Sequence, residues 1–317
     1  MLARSRRLFT MKRLTHRQAC LILLASMGMS ASVADSVAAA RTGRLVAQQP
    51  QVAQASDPAA SEQALAEGIE KIKQNDIAGA IASFERAVAL DPASAAAHYN
   101  LGLAYRQSEQ FQQAANAFWQ ATQADPMLTL AYVNLGATLL ESGNLEQAES
   151  YLARAIEIDP QLGPAYYNIG LLQRKKGDLA AAFEAFQQAA LLSPSAPEPH
   201  YHIGAIYQRQ QQPQPAQKAF EQAIALNPNY VEAHYSRGVA LVQQEQAAIA
   251  ITAFETAIRL SPTFGQAHYA KALALAQLNR YEEARADLQT AINIFIAQER
   301  PQLASLAQQQ LTRLDSL

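Results

Sequence analysis

The sequence predicts an all-α protein in which short helix pairs stack one after another as an α-solenoid. Two observations predict this fold. First, a window of 34 residues recurs without insertion from residue 61 to residue 298, and a fixed period of this length is typical of stacked repeats. Second, the chain is rich in Ala, Leu and Gln and only 7% aromatic, a composition that favours helix over sheet. We therefore expect stability to come from contacts between neighbouring windows.

Small residues occupy the same places in every window. The seven windows span residues 61–94, 95–128, 129–162, 163–196, 197–230, 231–264 and 265–298. Their eighth place holds Gly, or Ala272 in the last window, and their twentieth and twenty-seventh places always hold Ala. Because a side chain of one methyl or none lets two antiparallel helices approach closely, each window should fold as helix, turn and helix. Pro at the thirty-second place of all but the last window then ends the second helix.

This set of residues resembles the tetratricopeptide repeat (TPR) family. The resemblance covers residues 61–298 and implies a right-handed superhelix of seven helix-turn-helix units, in which the first helix of each unit lines a concave groove. Residues 299–317 follow the last window. The leucines of this segment recur near helical spacing at Leu303, Leu306, Leu311 and Leu314. We expect this segment to form a capping helix over the last apolar face.

The first 34 residues resemble an export signal. A basic segment precedes an apolar one, and Ser32, Val33 and Ala34 offer the small-x-small pattern of a cleavage site. The alternative is an uncleaved membrane anchor, but the apolar core from Ala19 to Ala25 is shorter than the roughly 20 residues that span a bilayer. We expect export to the periplasm or another extracytoplasmic compartment, with residues 35–60 as a flexible linker.

The export route stays open at the level of sequence. Arg6 and Arg7 resemble a twin-arginine motif, whereas a start at Met11 would give an ordinary Sec-type signal. The one cysteine, Cys20, lies inside this segment. A processed chain would therefore carry no thiol for a disulfide or a zinc site.

The charge distribution argues against a nucleic-acid partner. Six of the 25 Lys and Arg residues precede residue 35, whereas none of the 27 Asp and Glu residues does. The processed chain is thus acidic and would repel a phosphate backbone. We expect no nucleic acid and no cofactor, and a membrane contact only through the N-terminal segment if it is not cleaved.

The resemblance implies that a ligand contacts the second, fifth, sixth, ninth, twelfth and thirteenth places of each window. The sixth place holds Asn100, Asn134, Asn168 and then His202. The asparagine run is similar to the asparagine ladder in the repeat region of O-linked N-acetylglucosamine transferases, where the amides hold the backbone of an extended peptide. An amide suits this task because it offers both donors and an acceptor. The alternative is that each asparagine bonds within its own helix.

The fifth place adds aromatic side chains to the same candidate groove, and the twelfth and thirteenth places add basic ones. The tyrosines are Tyr99, Tyr167, Tyr201, Tyr235 and Tyr269. Tyrosine is favoured at binding surfaces, although a ring half-buried between adjacent first helices is the alternative interpretation. The basic residues are Arg106, Arg174 and Lys175, which would favour an acidic partner segment.

No catalytic motif is found in the windows. They contain neither a phosphate loop nor a nucleophile elbow, so we expect no enzyme. The leading hypothesis is an exported scaffold that binds an extended peptide or a helix of a partner protein in its groove. The alternative is an assembly factor or a non-catalytic subunit of an envelope or membrane complex.

Overall fold

A computed structural model describes residues 56–315 of the chain. The predicted export signal, most of the predicted linker and the last two residues lie outside the described residues. Within this range the chain forms fifteen helices and no strand. The helices are α1 (Pro58–Lys73), α2 (Ile77–Leu90), α3 (Ala95–Gln107), α4 (Phe111–Ala124), α5 (Thr129–Glu141), α6 (Leu145–Ile158), α7 (Gly163–Lys176), α8 (Leu179–Leu192), α9 (Pro197–Arg209), α10 (Pro213–Leu226), α11 (Val231–Val242), α12 (Ala247–Leu260), α13 (Gly265–Gln277), α14 (Tyr281–Ala297) and α15 (Pro301–Asp315). The predicted all-α fold of helix pairs is confirmed.

The first helix starts earlier than the sequence predicted. The repeat pattern places residues 58–60 in the linker, yet α1 begins at Pro58. The carboxylate of Asp57 accepts a hydrogen bond of 3.0 Å from the backbone N–H of Ala60, which caps the helix. Proline is favoured at the first helical position because it has no N–H to leave unpaired. This capped start extends the ordered part of the chain into the predicted linker.

The small residues of each window receive a large side chain from the partner helix. A Cβ atom built on Gly102 of α3 would lie 2.6 Å from the ring of Phe118 on α4, and Phe118 is fully buried. The same contact joins Gly170 to Phe186. The glycine thus makes room for the ring of its own window.

The turn inside each window needs a left-handed residue at the fifteenth place. Backbone φ is positive there in all seven windows, at Asn75, Glu109, Gly143, Gly177, Gln211, Glu245 and Asn279. Glycine adopts this conformation readily, whereas Glu109 and Glu245 do so against their steric preference. The tight turn, rather than the identity of its residue, is what the windows share.

The described residues divide into two compact units, 56–154 and 155–315. In the described part of the first unit, α1 to α5 pack consecutively, each against the next. In the second unit α7 to α15 do the same, and α11, the first helix of its window, contacts the first helices α9 and α13 of the windows on either side.

The last helix, α15, packs on α14 as the predicted cap. Its buried residues are Ala304, Ala307 and Leu314, whereas Leu306 is 42% exposed. The predicted contact face is therefore wrong at Leu306. The two alanines lie against α14 instead, because small residues allow the closer helix approach.

Candidate peptide-binding surface

In the first unit, three of the predicted site residues form one hydrogen-bonded network. Asn134 on α5 donates from Nδ2 to the hydroxyl of Tyr99 on α3 at 3.1 Å, and to the carbonyl of Leu130 at 2.9 Å. Its Oδ1 accepts a hydrogen bond of 3.4 Å from Nη1 of Arg106. Arg106 also pairs with Glu141, 2.5 Å between Nη2 and Oε1. The amide of Asn134 therefore links one window to the next.

Tyr99 is a packing residue in this network. Its side chain is fully buried, and its ring lies 5.8 Å from that of Phe118 between centroids. Burial is the largest cause that raises the pKa of Tyr99 to about 12, so the hydroxyl stays protonated. The ring offers no surface to a ligand in this conformation.

In the second unit, His202 occupies the place that Asn134 holds in the first. Its Nε2 lies 3.2 Å from the hydroxyl of Tyr167, and its Nδ1 lies 3.0 Å from Nη1 of Arg174. Its ring stacks on Phe186 at 4.8 Å. Burial, followed by the charge of Arg174, lowers the pKa of His202 to about 3, so the ring is neutral at physiological pH.

This neutrality fixes the direction of both hydrogen bonds. A guanidinium can only donate, so Nδ1 of His202 must accept from Arg174. The ring proton then lies on Nε2, which donates to the hydroxyl of Tyr167. Asn134 likewise accepts from Arg106 and donates to Tyr99. The two units carry the same arrangement of arginine, bridging side chain and tyrosine.

The other two predicted asparagines bond within their own helices. Nδ2 of Asn100 donates to the carbonyl of Ala96 at 2.8 Å, and Nδ2 of Asn168 donates to that of Pro164 at 2.9 Å. Asn100 is 1% exposed, and its Oδ1 has no hydrogen-bond partner among the described residues. Asn168 is half-buried. Contact of these amides with a peptide stays a prediction.

The remaining tyrosines line the first helices of the second unit. Tyr201, Tyr235 and Tyr269 are half-buried, like Tyr167. The rings of Tyr201 and Tyr235 pack on Phe220 and Phe254, with 5.7 Å and 5.9 Å between centroids. Each tyrosine therefore buries one part of its ring between helices and leaves another part accessible.

Two aromatic residues that the sequence analysis missed complete this row. Tyr230 and Phe264 end their windows, and their rings lie 5.1 Å from those of Tyr201 and Tyr235, respectively. An aromatic residue at the thirty-fourth place occurs only in these two windows. That irregularity in the repeat pattern was the signal that could have identified them.

Charged residues occupy the two ends of the same helices. Glu198 and Glu232 are exposed in the first turns of α9 and α11. Arg174 and Lys175 are exposed in the last turn of α7, as is Arg209 at the end of α9. This distribution complements the helix dipoles. It also gives the tyrosine row one acidic edge and one basic edge.

The histidines at the fourth place connect neighbouring windows. Nε2 of His98 lies 2.9 Å from the carbonyl oxygen of Pro92, and Nε2 of His234 lies 2.9 Å from that of Pro228. Between residues 56 and 315, the structure contains no group of three His, Cys, Asp or Glu side chains that could hold a metal ion. Across the same range, none of the helices has the length and apolarity needed to cross a bilayer.

The family models that match the chain all describe tetratricopeptide repeats. A model described as TPR repeat matches residues 68–108. Models described as tetratricopeptide repeat match residues 95–126, 127–195, 203–263 and 238–304. No curated protein matches the chain.

Solved structures share the fold. The APC/C hetero-tetramer Cut9–Hcn1 has a TM-score of 0.61 at 22% identity, covering 68% of this chain and 43% of that one. This chain thus spans less than half of that protein. A TPR protein from Parabacteroides merdae has a TM-score of 0.59 at 17% identity, covering 78% and 99%. YrrB, a TPR protein with an unusual peptide-binding site, has a TM-score of 0.51 at 26% identity, covering 62% and 100%.

The family matches extend over most of the region from residue 68 to residue 304. They agree with the helix pairs and the shared packing contacts described above. The chain is a protein–protein interaction scaffold, and it belongs to the tetratricopeptide repeat family.

Proposed function

We propose that this scaffold acts outside the cytoplasm without enzymatic activity, and that it binds an extended segment of a partner protein. The binding surface is formed by the first helices of the second unit, α7, α9, α11 and α13. The observation that carries this proposal is the row of half-buried tyrosines on these helices: Tyr167, Tyr201, Tyr235 and Tyr269.

The row suits an extended segment because its tyrosines recur once per window. Tyrosine contributes a large contact area at a small cost in side-chain entropy. The buried part of each ring is already fixed by packing, as the contact of Tyr201 with Phe220 shows, so little further ordering is needed on binding. A partner segment can therefore contact successive windows with successive side chains.

The charged edges add orientation. Glu232 lies on the acidic edge and Arg209 on the basic edge. Charges at the rim of an interface mainly change association rate and selectivity. A segment binds in the direction that places its basic side chains at the acidic edge and its acidic side chains at the basic edge. The reverse direction brings like charges together.

The comparison with YrrB supports the proposal in kind. That protein is 26% identical over 62% of this chain and is described as having a peptide-binding site. In this chain the first unit contributes less accessible surface, because Tyr99 and Asn100 are buried. The second unit is therefore the better candidate for peptide contact.

A selection from a displayed library of random short peptides tests the proposal. Peptides enriched on the full chain should slow hydrogen exchange in α7, α9, α11 and α13 and leave the outer helices α8, α10 and α12 unchanged. Glu232→Lys should weaken their binding by a few-fold to tenfold. Glu184→Lys, on α8, makes the same charge change at an exposed site and serves as the control. Protection confined to the outer helices would contradict the proposal.

The extracytoplasmic location depends on residues 1–34. N-terminal sequencing of protein recovered from the extracytoplasmic fraction should give a sequence that begins after Ala34 or close to it. The second candidate role, an assembly factor for an envelope or membrane complex, predicts that the mature protein sediments with membranes. A mature protein found only in the soluble fraction would contradict that role.

A further inference from the structure

The second unit contains a cavity beside the tyrosine row. It lies between α7, α8 and α9 and has a volume of about 150 Å³. Its apolar lining includes Tyr167, Ala189, Ala196 and Pro199. Glu198 also lines it and is exposed, so the cavity opens to solvent at an acidic rim.

The next two windows show what fills the corresponding position. Tyr201 and Tyr235 follow Tyr167 at intervals of 34 residues, as Tyr230 and Phe264 follow Ala196. The ring of Tyr230 packs on Tyr201, and the ring of Phe264 packs on Tyr235, both at 5.1 Å. In the window of Tyr167 the residue at this place is Ala196. A methyl group is too small to replace a ring, and the cavity lies at this position.

The size and lining of the cavity match an aromatic group. An apolar cavity of about 150 Å³ is large enough to accept a benzene ring. The contact expected with Tyr167 is that of Tyr230 with Tyr201, which are tilted by 34° to each other, and aromatic pairs at such distances are favourable beyond their buried area. The two following windows therefore indicate that this cavity, the aromatic slot, accepts an aromatic ring.

We propose that this cavity binds an aromatic side chain, Phe or Tyr, of the partner segment, and that Glu198 pairs with a basic residue next to it. The inference rests on the proposed function, since Tyr167 belongs to the same binding surface. It specifies the partner as a segment in which an aromatic residue adjoins Lys or Arg. The aromatic side chain is the anchor, and the ion pair at the exposed rim selects its neighbour.

The direct test uses N-acetyl-Phe-Lys-amide as a probe and the isotope-labelled full chain. Titration should shift the backbone amide signals of Gly163, Ser193 and Ala196, all of which line the cavity. N-acetyl-Ala-Lys-amide should leave them unchanged. N-acetyl-Phe-Glu-amide should bind a few-fold more weakly, as expected for the loss of an exposed ion pair. Equal shifts with the alanine and phenylalanine probes would overturn the proposal.

One variant fills the cavity from within the chain, and a second variant serves as its control. Ala196→Tyr gives this window the residue that Tyr230 provides in the next one, so it should weaken probe binding at least tenfold while the chain keeps its helical content. Ala180→Tyr adds the same side chain at an exposed position of α8 and should leave binding unchanged. Probe binding by Ala196→Tyr at the original strength would overturn the proposal.

Tyr230→Ala provides an independent measurement if Ala196→Tyr fails to fold. It should open a second slot beside Tyr201 and produce new probe shifts at Ala223 and Asn227, the counterparts of Ala189 and Ser193. Absence of these new shifts in a folded variant would overturn the proposal. Occupation of the cavity by a second copy of the chain would also overturn it, and would appear as signals that change with protein concentration.

The outcomes separate the two proposals. If library-selected peptides protect the first helices but the phenylalanine probe does not bind, the proposed function stands and the aromatic slot is rejected. If the probe binds the cavity while selected peptides protect other helices, the slot stands and the proposed binding surface is rejected.

Discussion

The two units solve one packing problem with different side chains. In the first unit Asn134 accepts from Arg106 and donates to Tyr99. In the second unit His202 connects Arg174 and Tyr167 in the same sense. An amide and a neutral imidazole can both make this connection because each offers an acceptor and a donor in suitable directions. The comparison teaches that two different side chains at the sixth place, Asn134 and His202, make the same contact between windows, whereas Asn100 and Asn168 at this place bond within their own helices.

Substitutions of His202 should have the largest effect on the contact that the two units share. His202→Ala should lower the free energy of unfolding by about 2–4 kcal/mol, because it leaves a cavity beside Phe186 and removes the partner of Tyr167. His202→Asn should lower the free energy of unfolding by only about 1 kcal/mol, since it recreates the arrangement of the first unit. Urea unfolding of both variants measures the difference. Equal losses would show that the hydrogen bonds contribute little and that ring packing dominates.

Acid stability is the second point of difference between the units. The pKa of His202 is lowered from 6.5 to about 3, so the folded state binds fewer protons than the unfolded state between these values. Its contribution to stability is therefore full above pH 6.5 and is lost as the pH falls towards 3, by about 1.4 kcal/mol per pH unit. Asn134 has no such dependence.

The free energy of unfolding, measured at several pH values in wild type and in His202→Asn, isolates the pH-dependent contribution of His202 to stability. The wild-type chain should have the higher free energy of unfolding at pH 6.5. This difference should narrow as the pH falls and then change sign. A constant difference across this range would contradict a neutral, buried His202. Other histidines contribute equally to both chains and cancel in the comparison.

The smallest expected effect concerns the first window, where the network is incomplete. Leu65 stands at the place of the tyrosines, and Oδ1 of Asn100 is buried without a hydrogen-bond partner among residues 56–315. Leu65→Tyr should supply a hydroxyl that accepts from Nδ2 of Asn100, as the hydroxyl of Tyr99 accepts from Asn134, and should raise the free energy of unfolding by about 0.5–1.5 kcal/mol relative to Leu65→Phe. The phenylalanine variant controls for the size of the ring. Equal stability of the two variants would show that the hydroxyl does not reach Asn100.

The helix pairs could be predicted because their determinants lie within one window. Gly102 and Phe118 belong to the same 34 residues and meet in the same unit, so the recurrence of small residues marks their contact directly. The start of α1 could also be predicted, since Asp57 and Pro58 form a standard helix cap. The 34-residue pattern instead places the boundary between linker and first helix at residue 61. Leu306 was misassigned because helical spacing alone does not tell which face a neighbour covers.

The site could be predicted only in part because its partners belong to different windows. The sequence places Asn134 on the first helix but does not tell whether its amide faces a ligand or Tyr99, which lies 35 residues away. Tyr230 was missed because it interrupts the pattern that identified everything else. What a repeat has in common reveals its packing, whereas specificity resides in the places where the copies differ.

The fifth-place tyrosine contacts the following window, so it also limits which window can follow which in the array. Tyr99 requires a donor such as Asn134 after it, Tyr167 is followed by His202, and Tyr201 hydrogen bonds with Ser236. Modules of this kind can be duplicated or excised only as whole copies whose edges remain compatible. Deleting residues 197–230 would bring Ser236 opposite Tyr167, so this tyrosine would keep a hydrogen-bonding partner in the next window. The array can therefore be shortened by one whole window without losing this contact.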